Sequence, residues 1–137
     1  MTALAPELVR TEIPELTFAS GLPGFPEVRR FALVRWGDVD SPFALLSSLD
    51  DAELAFVVVP PQLFFPTYEP EIDDVTCERL GLDRADDALI LVMVTVGDRP
   101  ADATANLLGP IVINRHTNSA AQAVLSSSGY EVRTPLV

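Results

Sequence analysis

Twelve prolines break this chain into pieces too short for long helices: Pro6, Pro14, Pro23, Pro26, Pro42, Pro60, Pro61, Pro66, Pro70, Pro100, Pro110 and Pro135. Proline lacks an amide hydrogen, and its ring collides with the preceding helical turn, so this spacing favours strands and turns. The pieces between are rich in Val, Ile, Leu and Phe. Short apolar runs bounded by turn residues predict an all-β, mainly antiparallel domain. About seven to nine strands, closed into a small barrel or folded as a sandwich, would protect most sheet edges.

The strands can be placed in outline. Val9–Phe18 forms the first, bent at Pro14, and Gly21–Pro26 forms a turn. In Val28–Trp36 the period of two puts Phe31 and Leu33 on one face with Arg29 and Arg35, and Ala32, Val34 and Trp36 on the other. Phe43–Ser48 and Leu54–Val59 follow, separated by the acidic turn Asp50–Glu53. The run Val57, Val58, Val59 implies burial on both faces. Leu89–Val96 shows no alternation either, and is expected to be a central, fully buried strand. Ile111–Asn114 and Ala121–Leu125 predict a closing hairpin around His116–Ser119, with an edge strand at Tyr130–Arg133. One or two short helices fit as well. The clearest is Val75–Leu80, capped by Asp73 or Asp74 and stopped by Gly81. So short a helix takes its stability from packing.

A length of 137 residues suits one domain over residues 1–137, and 48% hydrophobic content allows a core without cross-links. The single cysteine, Cys77, has no partner for an internal disulfide, which suits a reducing compartment. No basic stretch followed by an apolar run opens the sequence, so no secretory signal is expected. The apolar run Ala88–Met93, continued by Thr95 and Val96, is too short to span a bilayer. A soluble cytoplasmic protein with no membrane contact is the expectation.

The formal net charge is -11, and all nine basic residues are arginines. Such a surface repels nucleic-acid phosphates, so direct RNA or DNA binding is not expected. It either favours a basic protein partner through electrostatic steering or serves solubility alone.

Catalysis requires a nucleophile or an acid–base pair held by partners. The only histidine, His116, falls in a polar turn, and Cys77 falls within the expected helix. Together they are too few for a zinc site. Asp50, Asp51 and Glu53 share one turn, and Asp73, Asp74 and Glu78 cluster about the helix, without a calcium-loop spacing. Gly21–Gly24 lacks the Lys-Ser/Thr that follows a phosphate cradle, and Ser126–Ser128 lacks a nucleophile elbow. No catalytic residue, cofactor or metal is predicted, and the chain is expected not to be an enzyme. Asn106 and Asn114 either meet a partner's backbone or satisfy their own turns. Val59–Pro70, reading V-P-P-Q-L-F-F-P-T-Y-E-P, carries Phe64, Phe65 and Tyr68. It is either an exposed apolar patch for a protein partner or a loop folded over an open barrel end, and the two are compatible.

One stretch carries more than its local physics. Ala103–Asn114 reads A-T-A-N-L-L-G-P-I-V-I-N, a polar turn joined to an apolar strand through Gly109 and Pro110. In this order it resembles the signature of the flagellar assembly factor FliW family. Further pieces follow in register: Gly21–Phe25, Pro42–Ser48, Leu54–Pro61, Phe65–Tyr68, and the closing segment from Gln122 to Leu136. The resemblance covers roughly the whole chain. It implies a non-enzymatic cytoplasmic factor that binds flagellin before export. It also implies binding to the carbon storage regulator CsrA, an RNA-binding repressor, relieving its repression of flagellin synthesis. On that reading flagellin docks near Phe65, Tyr68 and Asn106, and the acidic residues Glu71, Asp73 and Asp74 face the basic CsrA. Leu46, Thr67 and Ala120 depart from the family pattern, which often has Gln, an acid and Gly there. If the Gln contacts a partner, that contact is missing here. The competing reading is a small β-barrel that binds a ligand or acts as an enzyme, which would need a polar pocket with converging donors and acceptors. A purely structural subunit of a larger assembly is a third.

Overall fold

The computed structural model describes residues 13–19, 21, 22, 24, 25, 27–37, 41–51, 53–126 and 128–136. The start of the first expected strand, residues 9–12, and both prolines of the turn at 21–26 lie outside them. The strands are β1 (Ile13–Phe18), β2 (Arg30–Arg35), β3 (Ala44–Ser48), β4 (Ala55–Val59), β5 (Ala88–Thr95), β6 (Thr104–Ala105), β7 (Ile111–Asn114), β8 (Ser119–Gln122) and β9 (Thr134–Pro135). The single α-helix among the described residues, α1, spans Asp74–Leu80.

Seven of these strands close on themselves in the order β4-β3-β2-β1-β8-β7-β5, with β5 returning to β4 through Val57↔Val94, Val58↔Met93 and Val59↔Val92. The result is a barrel, and β6 and β9 extend it beside β5. All pairings are antiparallel except β1 with β8, where Thr17 lies against Ser119 and Phe18 against Ala120. That parallel join lets the first strand meet the eighth and close the barrel.

The alternation read in β2 holds: Phe31 and Leu33 point inward, and Val34 faces out. The barrel interior is filled by Leu16, Phe18, Phe31, Leu33, Leu46, Val58, Ile111 and Ile113. A second apolar layer lies on the outer face of β5 and β7. There Val92, Val94 and Val112 pack against Tyr68, Leu80, Leu107 and Leu125. The strap from η-turn Pro61–Leu63 through α1 supplies much of this cover. β5 therefore has apolar neighbours on both faces, which is why its sequence does not alternate.

Several boundaries differ from the sequence reading. β5 is not fully buried: Thr95 and Val96 at its end are exposed, Val96 by 55%. The hairpin strand β8 begins at Ser119 and ends at Gln122, earlier than Ala121–Leu125. Ala123 and Leu125 still donate to the Pro110 and Leu108 carbonyls, but Pro110 has no amide to return, so the ladder lapses. The edge strand is Thr134–Pro135, not Tyr130–Arg133, because its partner β6 is only two residues long. Gly81 closes α1 as expected, in the left-handed region at φ 68°; Asp73 sits at the N-cap position, but its side chain accepts from the Thr76 hydroxyl and makes no capping bond to a backbone amide.

The acidic turn after β3 is a brace. Ser48 Oγ accepts from the Asp50 and Asp51 amides at 3.0 and 2.8 Å. Asp50 in turn accepts from the Arg29 and Arg30 amides, each at 3.0 Å, and from the Arg30 guanidinium at 3.0 Å. The Arg30 amide, then the Arg29 amide and the guanidinium, hold the Asp50 carboxyl below the usual carboxylate range. A depressed folded-state pKa stabilises the fold above the unfolded value, and that contribution is lost as pH falls through the folded value. Asp50→Asn should therefore lower the urea midpoint at neutral pH and flatten its fall on acidification. Parallel midpoints for the two proteins from pH 7 down to 3 would show that the brace carries no linkage.

Candidate functional site

The stretch 103–114 forms β6, a turn and β7. Asn106 is held locally: its amide donates to the Met93 carbonyl at 2.9 Å, and its Oδ1 accepts from the Gly109 amide at 2.9 Å. The Gly109 carbonyl accepts from Gln122 Nε2 at 2.9 Å. A Cβ on Gly109 would sit 2.8 Å from that same Nε2, so a larger residue there would displace the Gln122 side chain from its bond. Asn114, at the end of β7, is buried and bonds to α1 and to its own turn. Both asparagines thus satisfy local backbone in this structure.

Tyr68 corrects an expectation. It is only 4% exposed, not part of an open aromatic patch. Its hydroxyl donates to the Leu107 carbonyl at 2.7 Å, and its ring meets Tyr130 edge-on with centroids 4.7 Å apart. Burial, and secondarily Tyr130, pushes its phenol well above the usual range. Tyr130 adds a bond, accepting from the Glu69 amide at 3.1 Å. So Tyr68 does reach the turn that follows Asn106, but as an internal strut. Phe65 is half-buried in the outer layer. Val59–Pro70 does fold back as a loop, but it covers the outer face of β5 and not an open barrel end, and it leaves Phe64 and Phe65 half-buried.

The open apolar surface lies on neighbouring residues. Trp36 is 42% exposed, and its ring stands edge-on to Phe43 at 6.2 Å. Phe43 meets Phe64 at 5.9 Å, and the preceding Leu63 is 61% exposed. These side chains form a ridge from the outer end of β2 to the start of the strap. The period of two placed Trp36 on the face opposite Phe31 and Leu33, the pair that the structure buries. An aromatic on the outward face of a strand was the available signal.

The acidic residues gather on the strap. Glu71, Asp73 and Asp74 are exposed on the approach to α1 and in its first turn. Asp73 accepts from the Thr76 hydroxyl, which holds its carboxyl below the usual range. Behind them, between the strap and the outer face of β5, lies a cleft of about 370 Å³. Its walls are Pro70, Ile72, Cys77 and Leu82 on one side and Ala88 and Ile90 on the other, with Asp83 and Arg84 also lining it. These residues went unnoticed in the sequence, because their meeting depends on how the strap folds back.

His116 Nε2 lies 3.0 Å from Asp87 Oδ1, tying the β7–β8 turn to the entrance of β5. The His116 contact is the main reason the Asp87 carboxyl sits below its usual range. Asp87 Oδ2 also accepts from the Arg84 amide at 3.2 Å, so the carboxylate is engaged in bracing this turn. Among the described residues no group of three or more His, Cys, Asp and Glu could hold a metal ion. No helix of the described residues is long and apolar enough to cross a membrane.

The fold recurs in a solved protein. The crystal structure of the flagellar assembly factor FliW superposes with a TM-score of 0.85 at 37% identity, covering 90% of this chain and 85% of that one. The profile of the FliW protein family matches residues 5–136. This chain belongs to the FliW family of flagellar assembly factors. FliW from Bacillus subtilis (strain 168) is 39% identical over 121 residues, spanning 88% of this chain and 84% of that protein. The corresponding factor from Syntrophus aciditrophicus (strain SB) is 42% identical over 113 residues, spanning 82% and 71%. These relatives are named as assembly factors, not as enzymes.

The three positions expected from the sequence to depart from the FliW pattern have locations in the structure. Leu46 is fully buried inside the barrel and Ala120 faces the same core, so neither position offers a surface contact here. Thr67 is exposed on the strap, beside Tyr68.

Proposed function

We propose that residues 1–137 act as one cytoplasmic β domain that holds flagellin before export. We further propose that it binds the regulator CsrA, relieving repression of flagellin synthesis. Family membership supports the assembly role. The observation that carries the flagellin half is the apolar ridge in which Trp36 and Leu63 are exposed and Phe43 and Phe64 half-buried, with half-buried Phe65 next in the chain and the Asn106 turn held by the buried Tyr68. An apolar helical face that becomes buried only in the assembled filament needs such a surface beforehand. The alternative of a ligand-binding barrel loses ground, because the barrel interior is packed with Leu, Ile, Val and Phe side chains.

Trp36→Ala combined with Leu63→Ala should weaken flagellin binding by about tenfold or more, since an anchoring aromatic at the centre of an interface commonly costs about 2 kcal/mol. Thermal unfolding should change less than affinity, because Leu63 is 61% and Trp36 42% exposed and neither belongs to the buried core. Calorimetric titration with purified flagellin measures it, and undiminished affinity in the folded double variant would remove the ridge as the docking surface.

The CsrA half rests on charge. The segment Glu69–Asp87 holds eight carboxylates against Arg79 and Arg84. Complementary charge raises association rates more than it lowers dissociation rates. Glu71→Gln, Asp73→Asn and Asp74→Asn together should slow CsrA association severalfold, and 1 M salt should do the same to the unaltered chain, where the screening length falls to about 3 Å. Association rates indifferent to both changes would leave the charge with a solubility role only.

A further inference from the structure

The cleft beneath the strap interrupts the outer apolar layer. The centre of that layer is closed, with Val92, Leu80 and Tyr68 buried. At the cleft, Ile72, Cys77, Leu82, Ala88 and Ile90 all remain partly exposed around an open space. Its volume of about 370 Å³ falls at the low end of the roughly 300–1,000 Å³ typical of ligand pockets. Apolar walls left open in this way gain free energy by taking an apolar group out of water.

The surroundings select the occupant. Glu71, Asp73, Asp74, Glu78, Asp83 and Asp86 are all exposed on the segment that forms the cleft's outer wall. A second copy of this chain, itself at net charge -11, would meet like charge there. An anionic amphiphile would meet the same acids, offset at the cleft's rim by Arg84, which itself lies 3.9 Å from Asp86. We propose that the cleft is the anchor point for a basic polypeptide segment, which inserts one aliphatic or aromatic side chain between α1 and β5 while its flanking Arg or Lys residues meet the strap carboxylates. Steering and anchoring are then divided: the exposed acids raise the encounter rate, and the cleft sets the residence time. The inference rests on the reading that this acidic strap faces a basic protein, and adds to it the apolar contact that fixes the register.

Cys77 provides the test, because it is the only cysteine in the chain and lines the cleft. CsrA is the basic protein used as probe. Saturating CsrA should slow alkylation of Cys77 by about tenfold or more. Ala88→Leu, which fills the cleft from β5, should weaken CsrA affinity by about tenfold with most of the change in dissociation. The Glu71, Asp73 and Asp74 triple variant should mainly lose association rate. If CsrA binds and the triple variant slows it, but Cys77 reacts at an unchanged rate, the acidic-surface reading stands and the cleft is overturned as its anchor. Cys77 protection keeps the test decisive even if Ala88→Leu proves unstable. Protection that grows with the chain's own concentration, in the absence of CsrA, would identify a second copy as occupant and overturn the proposal. Absence of any CsrA binding overturns both readings together.

Discussion

Leu91→Asp should leave no stably folded protein at room temperature. Leu91 is 4% exposed in the barrel interior, midway along β5, and its backbone pairs with Ile111 of β7. An aspartate there meets only apolar neighbours such as Ile111, Ile113 and Val58. Burying an unpaired carboxylate, or protonating it to escape, costs several kcal/mol, comparable to the whole stability of a small domain. Val94→Asp strikes the outer layer instead, where Val94 is buried beside Ala105. It should destabilise less, because β5 ends one residue later and the strand end can open to water. Circular dichroism and thermal unfolding of the two variants check this. A cooperative transition near that of the parent for Leu91→Asp would mean that the barrel interior is wetter than its packing indicates.

The contrast between these positions shows what the sequence made legible. The period of two in β2 separated its two faces without saying which was inward, and the unbroken apolar runs in β4 and β5 signalled two-sided burial. The helix end could be read from Gly81, because capping chemistry is local. Closure of the barrel was not legible: the parallel pairing of β1 with β8 joins residues about a hundred positions apart by only short contact. Nor could the sequence decide where the aromatics of Val59–Pro70 point. Proline sets φ, but the strap's path over β5 decides that Tyr68 turns inward to Leu107 while Leu63 stays in solvent. For the same reason the cleft was invisible, as its two walls come from segments either side of α1 and from β5. Trp36 was legible as a residue on the face opposite Phe31 and Leu33, and the ridge it joins follows from Phe43 and Phe64 arriving beside it.

Asn114→Ala should destabilise the fold by about 2–4 kcal/mol, more than most single truncations of so small a side chain. The last residue of the 103–114 turn-and-strand stretch is a clamp. Its Nδ2 donates to the Leu80 carbonyl at 2.7 Å and approaches that of Gly81 at 3.4 Å, and its Oδ1 accepts from the His116 amide at 2.9 Å. Leu80 and Gly81 end α1, where carbonyls lack partners within the helix. Alanine would strand a buried acceptor at one side and an amide at the other. Since a seven-residue helix cannot persist alone, the strap it anchors should loosen with it. Hydrogen exchange should therefore show the amides of Cys77–Leu82 losing protection before those of β2 and β3. Asn114→Asp sharpens the test: at neutral pH a carboxylate would face the carbonyl end of α1, adding repulsion to the lost bond. It should be less stable than Asn114→Ala at pH 7 and gain on it as acid restores a proton to donate. Both variants unfolding within about 0.5 kcal/mol of the parent would show that the strap is held by its apolar contacts alone, and that the asparagine at the end of the signature is kept for something outside the fold.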